Sequence, residues 1–148
     1  MRYEIISERN SKYQVKIAAP EDAYAVLKRF ATMRQEHFLL LTLDGAHQVI
    51  RSKIVTIGLT NRTIVHPREV FKPAIADAAT SVVIAHNHPS GNVEPSPEDR
   101  DITYRLVKAG AIIGIEVLDH IIIGKQGYFS FLEHGLMQIS GGTQNGND

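Results

Sequence analysis

Two strand-length runs of this sequence are apolar on both faces, and they constrain the fold more than any other feature. The first, EHFLLLTLD, spans residues 36–44, and the second, SVVIAH, spans residues 81–86. A strand that is apolar on both faces must be covered on both sides, as a central strand of an α/β sheet is. The turn DGAH and the run QVIRSKIVTIG follow the first strand, so we expect a β-hairpin there.

Three segments have helical spacing and supply the covering layers. They contain the runs APEDAYAVLKRFATM, HPREVFKPAIADAAT and EDRDITYRLVKA. The third helix is predicted to begin after the cap residue Ser96 and to end at Gly110, because serine and glycine are typical of these positions. Residues 111–124 and the run GYFSF are predicted strands. The expected fold is a single α/β domain with a mixed central β-sheet flanked by helices.

The chain of 148 residues has the usual length of one domain, with short additions at both ends. Residues 1–19 contain the runs YEIIS and YQVKIA and are predicted to form an N-terminal β segment packed on the domain. Residues 20–139 are predicted to form the domain itself. Residues 140–148, SGGTQNGND, are small and polar and are expected to be a disordered tail.

The composition excludes several classes of site. The chain has no cysteine, so histidine, carboxylate and hydroxyl groups must carry any chemistry, without disulfides or thiolate ligands. Sixteen basic and sixteen acidic residues give a formal net charge of zero, which provides no overall attraction to nucleic acid or anionic lipid. The sequence has neither a signal-peptide run nor a stretch of about 18 apolar residues, so we expect a cytoplasmic protein without a membrane span.

Two histidines at the end of the second apolar strand form half of a candidate metal site. Side chains alternate along a strand, so His86 and His88 point the same way if the extended backbone continues through Asn87. The loop PSGNVEP then turns the chain, and Asp99 lies in the first turn of the third helix. Two histidines and an aspartate fill three of zinc's four positions and leave one for water, as in catalytic zinc sites.

Each of these residues also has a purely structural interpretation. A His-x-His pair alone is a weak signal, because hydrogen-bonded histidines at a strand end have the same spacing. Asp99 could serve only as the acidic partner of Ser96 in a capping box. The metal hypothesis therefore depends on the three residues together.

Hydrolysis at such a metal requires a further group that accepts and delivers a proton. Glu36 begins an otherwise apolar strand, where burial of a carboxylate is costly unless it is paired or functional. Ser96 offers a hydroxyl to the oxyanion of a tetrahedral intermediate, or it only caps the helix. Asp119 and His120 either flank the site or make structural hydrogen bonds.

The pattern of Glu36, then HNHPSG, then Ser96 and Asp99 resembles the JAMM metalloprotease signature E…H-x-H-x(7)-S-x-x-D of JAB/MPN+ domains. Within that group, residues 20–132 resemble the bacterial RadC proteins in the runs QEHFLLLTLD, VHPREVFKPAI, AHNHPSGNVEPSPED and GIEVLDHIIIG. The resemblance implies a cytidine-deaminase-like fold with one zinc ion on His86, His88 and Asp99. It also implies that Glu36 is the acid/base and that Ser96 supports the oxyanion.

The function that the resemblance implies is hydrolysis of a peptide, isopeptide or related amide bond by metal-activated water, with a peptide or protein as substrate. One alternative is a RadC-like accessory protein of DNA repair that binds nucleic acid or is a metal-dependent nuclease. Full-length RadC proteins carry an N-terminal helix-hairpin-helix segment that we expect this chain to lack, which disfavours that alternative. Another alternative is a metal-free MPN scaffold, which the complete ligand set disfavours.

Overall fold

One mixed sheet of six strands organises the part of the chain that this computed structural model describes, namely residues 3–4, 14–58 and 65–138. The elements in chain order are β1 (Tyr3–Glu4), α1 (Pro20–Leu27), a 3-10 helix (Lys28–Thr32), β2 (His37–Leu43), β3 (Val49–Ile57), α2 (Pro67–Ala76), β4 (Ser81–Asn87), α3 (Pro97–Ile113), β5 (Glu116–Gly124) and β6 (Gly127–Ser130). No helix in these ranges is long and apolar enough to cross a membrane.

The strands are ordered β1-β3-β2-β4-β5-β6 across the sheet. β2 pairs antiparallel with β3, which confirms the predicted hairpin, and antiparallel with β4 on its other side. β4 and β5 are parallel and are connected through α3, whereas β5 and β6 are antiparallel. The sheet is therefore mixed, and β2 and β4 lie at its centre, as their apolar sequences predict.

Helices cover both faces of the sheet. Every residue of β2 and of β4 is buried. On one face, residues of α2 and α3 pack with alternate residues of the central strands, including Phe38, Leu40 and Ile84. On the other face, α1 and the 3-10 helix pack against Leu39, Leu41 and their neighbours. The predicted α/β domain with a mixed, helix-flanked sheet is thus confirmed.

The N-terminal segment contributes little regular structure among its described residues. Tyr3 and Glu4 pair antiparallel with Lys53 and Ser52 of β3. The predicted strand YQVKIA is wrong for its described part, because residues 14–18 make only one isolated bridge, between Lys16 and Gln48. The predicted tail 140–148 lies outside the described residues.

Helix α3 continues past Gly110 to Ile113, so both the predicted helix end and the predicted strand start at residue 111 are wrong. The helix ends instead at Gly114, which has a left-handed φ of 90°. Gly110 is needed for close packing, because a Cβ there would collide with the carbonyl oxygen of Ile115 and lie 3.2 Å from Phe71 Cζ. A glycine inside a helix therefore marked a contact with the start of β5 and not a helix end.

We predict that Gly110→Ala lowers the free energy of unfolding by about 1–3 kcal/mol, measured by urea denaturation. Alanine normally stabilises a helix interior relative to glycine by about 1 kcal/mol, so the expected sign is the reverse of the usual one. Gly45→Ala is the matched control, because nothing lies within 4 Å of a Cβ at that turn position. An unchanged or higher stability of Gly110→Ala would contradict the packing argument.

Candidate metal centre

The register between β2 and β4 brings the predicted site residues to one edge and one face of the sheet. Phe38 lies opposite His86, and the Asn87 side chain accepts the His37 N–H, so Glu36 and His88 both lie at this end of the two strands. Alternation directs Phe38 and His86 to the face covered by α2 and α3, and His88 contacts His86 there. The Phe38 and His86 rings stack there with centroids 6.1 Å apart. The strand pairing thus joins positions that are fifty residues apart in sequence.

Helix α3 contributes Asp99, the third residue of the group. Its N-terminus forms a capping box in which Ser96 Oγ accepts the Asp99 backbone N–H at 3.0 Å, while Asp99 Oδ2 accepts the Ser96 N–H at 2.9 Å. The preceding loop packs over the end of β5, where Gly124 leaves room for it. A Cβ on Gly124 would lie 2.7 Å from Val93 Cγ1.

The nitrogen and oxygen atoms of these three side chains converge on one point. The Nε2 atoms of His86 and His88 are 2.9 Å apart. Asp99 Oδ1 is 3.2 Å from His86 Nε2, and Asp99 Oδ2 is 3.1 Å from His88 Nε2. His86 and Asp99 side chains are fully buried, whereas His88 keeps 14% of its side chain exposed. One ligand therefore faces solvent, and the other two face the interior.

Hydrogen bonds within the group fix its charges. Burial by itself raises the pKa of Asp99, but hydrogen bonds with His86 and His88 lower it far more, so that the pKa lies well below its ordinary range. Burial lowers the pKa of His88, yet the hydrogen bond to Asp99, the Asn92 carbonyl and the negative charges of Asp99 and Glu36 raise it above its ordinary value. Asp99 is therefore an ionised carboxylate that favours a cation between the two rings.

The loop orients His88 for ligation. Its Nδ1 is 2.6 Å from the carbonyl oxygen of Asn92, which can only accept, so Nδ1 carries the hydrogen. Nε2 is therefore the nitrogen that contacts His86 and Asp99, and it is the one that would bind a metal after losing its own hydrogen. Two imidazole nitrogens and a carboxylate oxygen, with all ligand atoms within 4.8 Å of one another, are a donor set that zinc and similar divalent metals accept. The residues present therefore fit a bound metal.

Asn87, the middle residue of the His-Asn-His run, points to the opposite face and holds the chain around Glu36. Its Oδ1 accepts the His37 N–H at 2.7 Å, and its Nδ2 donates to the Gln35 carbonyl at 3.2 Å. A weaker contact joins Nδ2 to the Met33 carbonyl at 3.4 Å. The fully buried amide thus clamps the backbone on both sides of Glu36.

Comparison with known proteins identifies the family of the chain. A sequence profile of the RadC-like JAB domain matches residues 17–136. The chain belongs to the RadC-like JAB domain family.

Relatives of this RadC-like JAB domain carry the name UPF0758 protein. One from Rubrobacter xylanophilus is 52% identical over 122 residues, which are 82% of this chain and 53% of the relative. One from Trichlorobacter lovleyi is 56% identical over 104 residues, 70% of this chain and 45% of the relative. One from Methanosarcina acetivorans is 44% identical over 124 residues, 83% and 54% respectively. The chain spans about half the length of these relatives.

The signature residues His86, His88 and Asp99 lie together in the structure, but four neighbours of the site were missed or left open. The sequence shows Asn87 only as the residue between the two histidines, with no signal for its hydrogen bonds to the backbone around Glu36. His120 lies within β5 with its Nε2 2.8 Å from His86 Nδ1, and Thr103 of α3 hydrogen-bonds His120. Asp119 makes structural hydrogen bonds to the Ser130 hydroxyl and the Leu132 N–H. These contacts depend on strand pairing, which no local sequence signal carries.

We predict that Asn87→Asp destabilises the metal-free protein by about 2–3 kcal/mol at neutral pH, measured by denaturation in a chelator. The new oxygen would replace the Nδ2 donor and face the carbonyls of Gln35 and Met33 in a buried place. The exposed Asn92→Asp is the matched control, since its Oδ1 only accepts the Glu94 N–H. Equal stability of the two variants would show that the clamp contributes nothing.

Proposed function

We propose that this RadC-like JAB domain is a zinc-dependent hydrolase of the JAMM type that cleaves a peptide, isopeptide or related amide bond. The observation that carries the proposal is the convergence of His86 Nε2, His88 Nε2 and the Asp99 carboxylate at a strand end, where the negative charge of Glu36 also acts on His88. A metal site of three protein ligands leaves a position for a reactant.

The ligand set is compatible with zinc, which is the metal that we propose. His86, His88 and Asp99 supply nitrogen and oxygen donors without thiolates, and the fully buried Asp99 contributes the only negative charge among the three. When bound, zinc supplies Lewis acidity, which polarises a carbonyl and lowers the pKa of water. The 14% exposure of His88 supports the entry of a substrate from that side.

Glu36 is the proposed proton acceptor. It is half-buried, and its negative charge acts on His88, which supports a position of its carboxylate near the proposed ligands. Asn87 fixes the backbone on both sides of it, which limits the positions that the carboxylate can occupy. We propose that Glu36 takes a proton from the attacking water and delivers it to the leaving nitrogen.

The Ser96 hydroxyl can donate a hydrogen bond in addition to capping the helix. Its Oγ accepts the Asp99 N–H, and a serine hydroxyl still has one hydrogen to donate. Half-buried beside Asp99, this donor supports the proposed role in stabilising an oxyanion. A peptide or protein carrying the scissile amide is the proposed partner.

We predict that Glu36→Gln retains zinc at about one ion per chain and loses hydrolysis by a factor of roughly 10²–10⁴. The amide keeps the shape of the side chain but cannot accept the proton. Zinc content is measured by elemental analysis after purification without chelator, and hydrolysis is measured against pooled peptide and isopeptide substrates that the unmodified protein cleaves. Full activity of Glu36→Gln would exclude it as the base.

We predict that His88→Ala loses both zinc and hydrolysis, because only two ligands remain. His47→Asn is the matched control: His47 is an exposed histidine in the β2–β3 turn with a φ of 62°, which asparagine tolerates. Zinc binding is measured by calorimetric titration of chelator-treated protein. Equal zinc affinity in His88→Ala and His47→Asn would contradict the assignment of His88 as a ligand.

A further inference from the structure

A buried histidine outside the signature lies directly behind one of the ligands. His120 is fully buried on β5, where its ring stacks on Phe131 with centroids 4.6 Å apart. Its Nε2 is 2.8 Å from His86 Nδ1, the ring nitrogen on the side away from Asp99. His120 therefore contacts the ligand ring and not the point where the ligand atoms converge.

A third side chain extends this contact to the backbone of another ligand. Thr103 Oγ1 is 2.6 Å from the carbonyl oxygen of Asp99, one turn earlier in α3, and it also contacts His120 Nδ1. A carbonyl oxygen can only accept, so the single hydroxyl hydrogen of Thr103 goes to Asp99. Thr103 Oγ1 must then accept from His120, which places a hydrogen on His120 Nδ1.

The remaining direction follows from the chemistry of the neutral imidazole. A neutral ring with its hydrogen on Nδ1 has a lone pair on Nε2, so His120 Nε2 accepts from His86. His86 Nδ1 therefore carries a hydrogen, which leaves Nε2, the nitrogen that faces His88 and Asp99, as the one that would lose its hydrogen to bind a metal. The Asp99 carbonyl thus sets the direction of the three hydrogen bonds: Thr103 donates to Asp99, His120 donates to Thr103, and His86 donates to His120.

We propose that the hydrogen-bond chain from His86 through His120 and Thr103 to the Asp99 carbonyl fixes the tautomer of His86, so that His120 and Thr103 are positioning residues for metal binding. The inference rests on the proposed metal function of the same site. Hydrogen-bonded neighbours of ligating histidines commonly change metal affinity by 10–100-fold, which is the size of effect that the chain must have.

The hydrogen-bond chain also couples two proposed ligands that lie on different elements of the fold. It begins on His86 of β4, crosses to His120 of β5 and continues through Thr103 of α3 to Asp99, which lies in the same helix. Without the Thr103 hydroxyl, His120 loses the acceptor for its Nδ1 hydrogen and can carry the hydrogen on Nε2 instead. That tautomer would turn a donor toward His86 Nδ1 and favour a hydrogen on His86 Nε2, where it competes with the metal.

The first test reads the tautomer of His120 directly, by long-range proton–nitrogen correlation of the imidazole rings in ¹⁵N-labelled, metal-free protein. The His120 signals are identified by their absence in His120→Gln. We expect a hydrogen on Nδ1 and an unprotonated Nε2. A hydrogen on His120 Nε2, or on both nitrogens, would overturn the proposal, and this reading is independent of zinc binding and of hydrolysis.

The second test compares Thr103→Val with Thr103→Ser, which remove and retain the hydroxyl. We expect Thr103→Val to weaken zinc affinity by about 10-fold or more in competition with a chromogenic chelator, and Thr103→Ser to stay within about 2-fold of the unmodified protein. Thermal melting of both metal-free variants measures any change in stability separately. Equal zinc affinity of the two variants, whatever their melting temperatures, would overturn the proposal.

The two proposals can fail separately. If the unmodified protein binds no zinc, the proposed function fails, and the tautomer measurement still decides the hydrogen-bond chain. If zinc binds tightly and Thr103→Val matches Thr103→Ser, only the positioning role fails.

His120→Phe provides an additional comparison with His120→Gln. Phenylalanine retains the ring packing against Phe131 and removes the acceptor for His86, whereas glutamine retains an acceptor. We expect weaker zinc binding in His120→Phe than in His120→Gln.

Discussion

The burial of one ionised carboxylate is the constraint on which the site depends. Asp99 is fully buried, and a buried charge costs several kcal/mol unless other groups compensate for it. Here the compensation comes from the Ser96 N–H, from both histidine rings and from the N-terminal end of α3, where the helix dipole favours negative charge. The loop, the helix start and the strand end must all be in place for Asp99 to remain ionised.

The His-Asn-His run uses both faces of a central strand for different purposes. His86 and His88 point to the face covered by α3, whereas Asn87 points to the other face and holds the backbone around Glu36. The alternation of a single strand thus fixes the metal ligands and, through Asn87, the proposed base relative to each other. A substitution at the middle position would disturb Glu36 without touching a ligand.

Much of this arrangement could be predicted from the sequence, because the signals were local. The apolar runs predicted the central strands and the hairpin, and the capping box predicted the start of α3 with Asp99 in its first turn. The end of α3 was mispredicted because Gly110 serves a contact with β5, which depends on tertiary packing. Thr103 and His120 lie 17 residues apart in sequence. The packing of α3 brings Thr103 to His120, and the β4–β5 pairing brings His120 to His86.

The hydrogen bonds that hold the proposed ligands come from the protein itself, and this affects how the site would exchange a metal. The Ser96 N–H fixes Asp99, and the Asn92 carbonyl fixes His88, so both rotamers are set before any ion arrives. Such a preorganised site loses little conformational entropy on binding. Unlike a zinc finger, whose fold requires its ion, this domain is expected to survive chelation with its core intact and to reload without refolding.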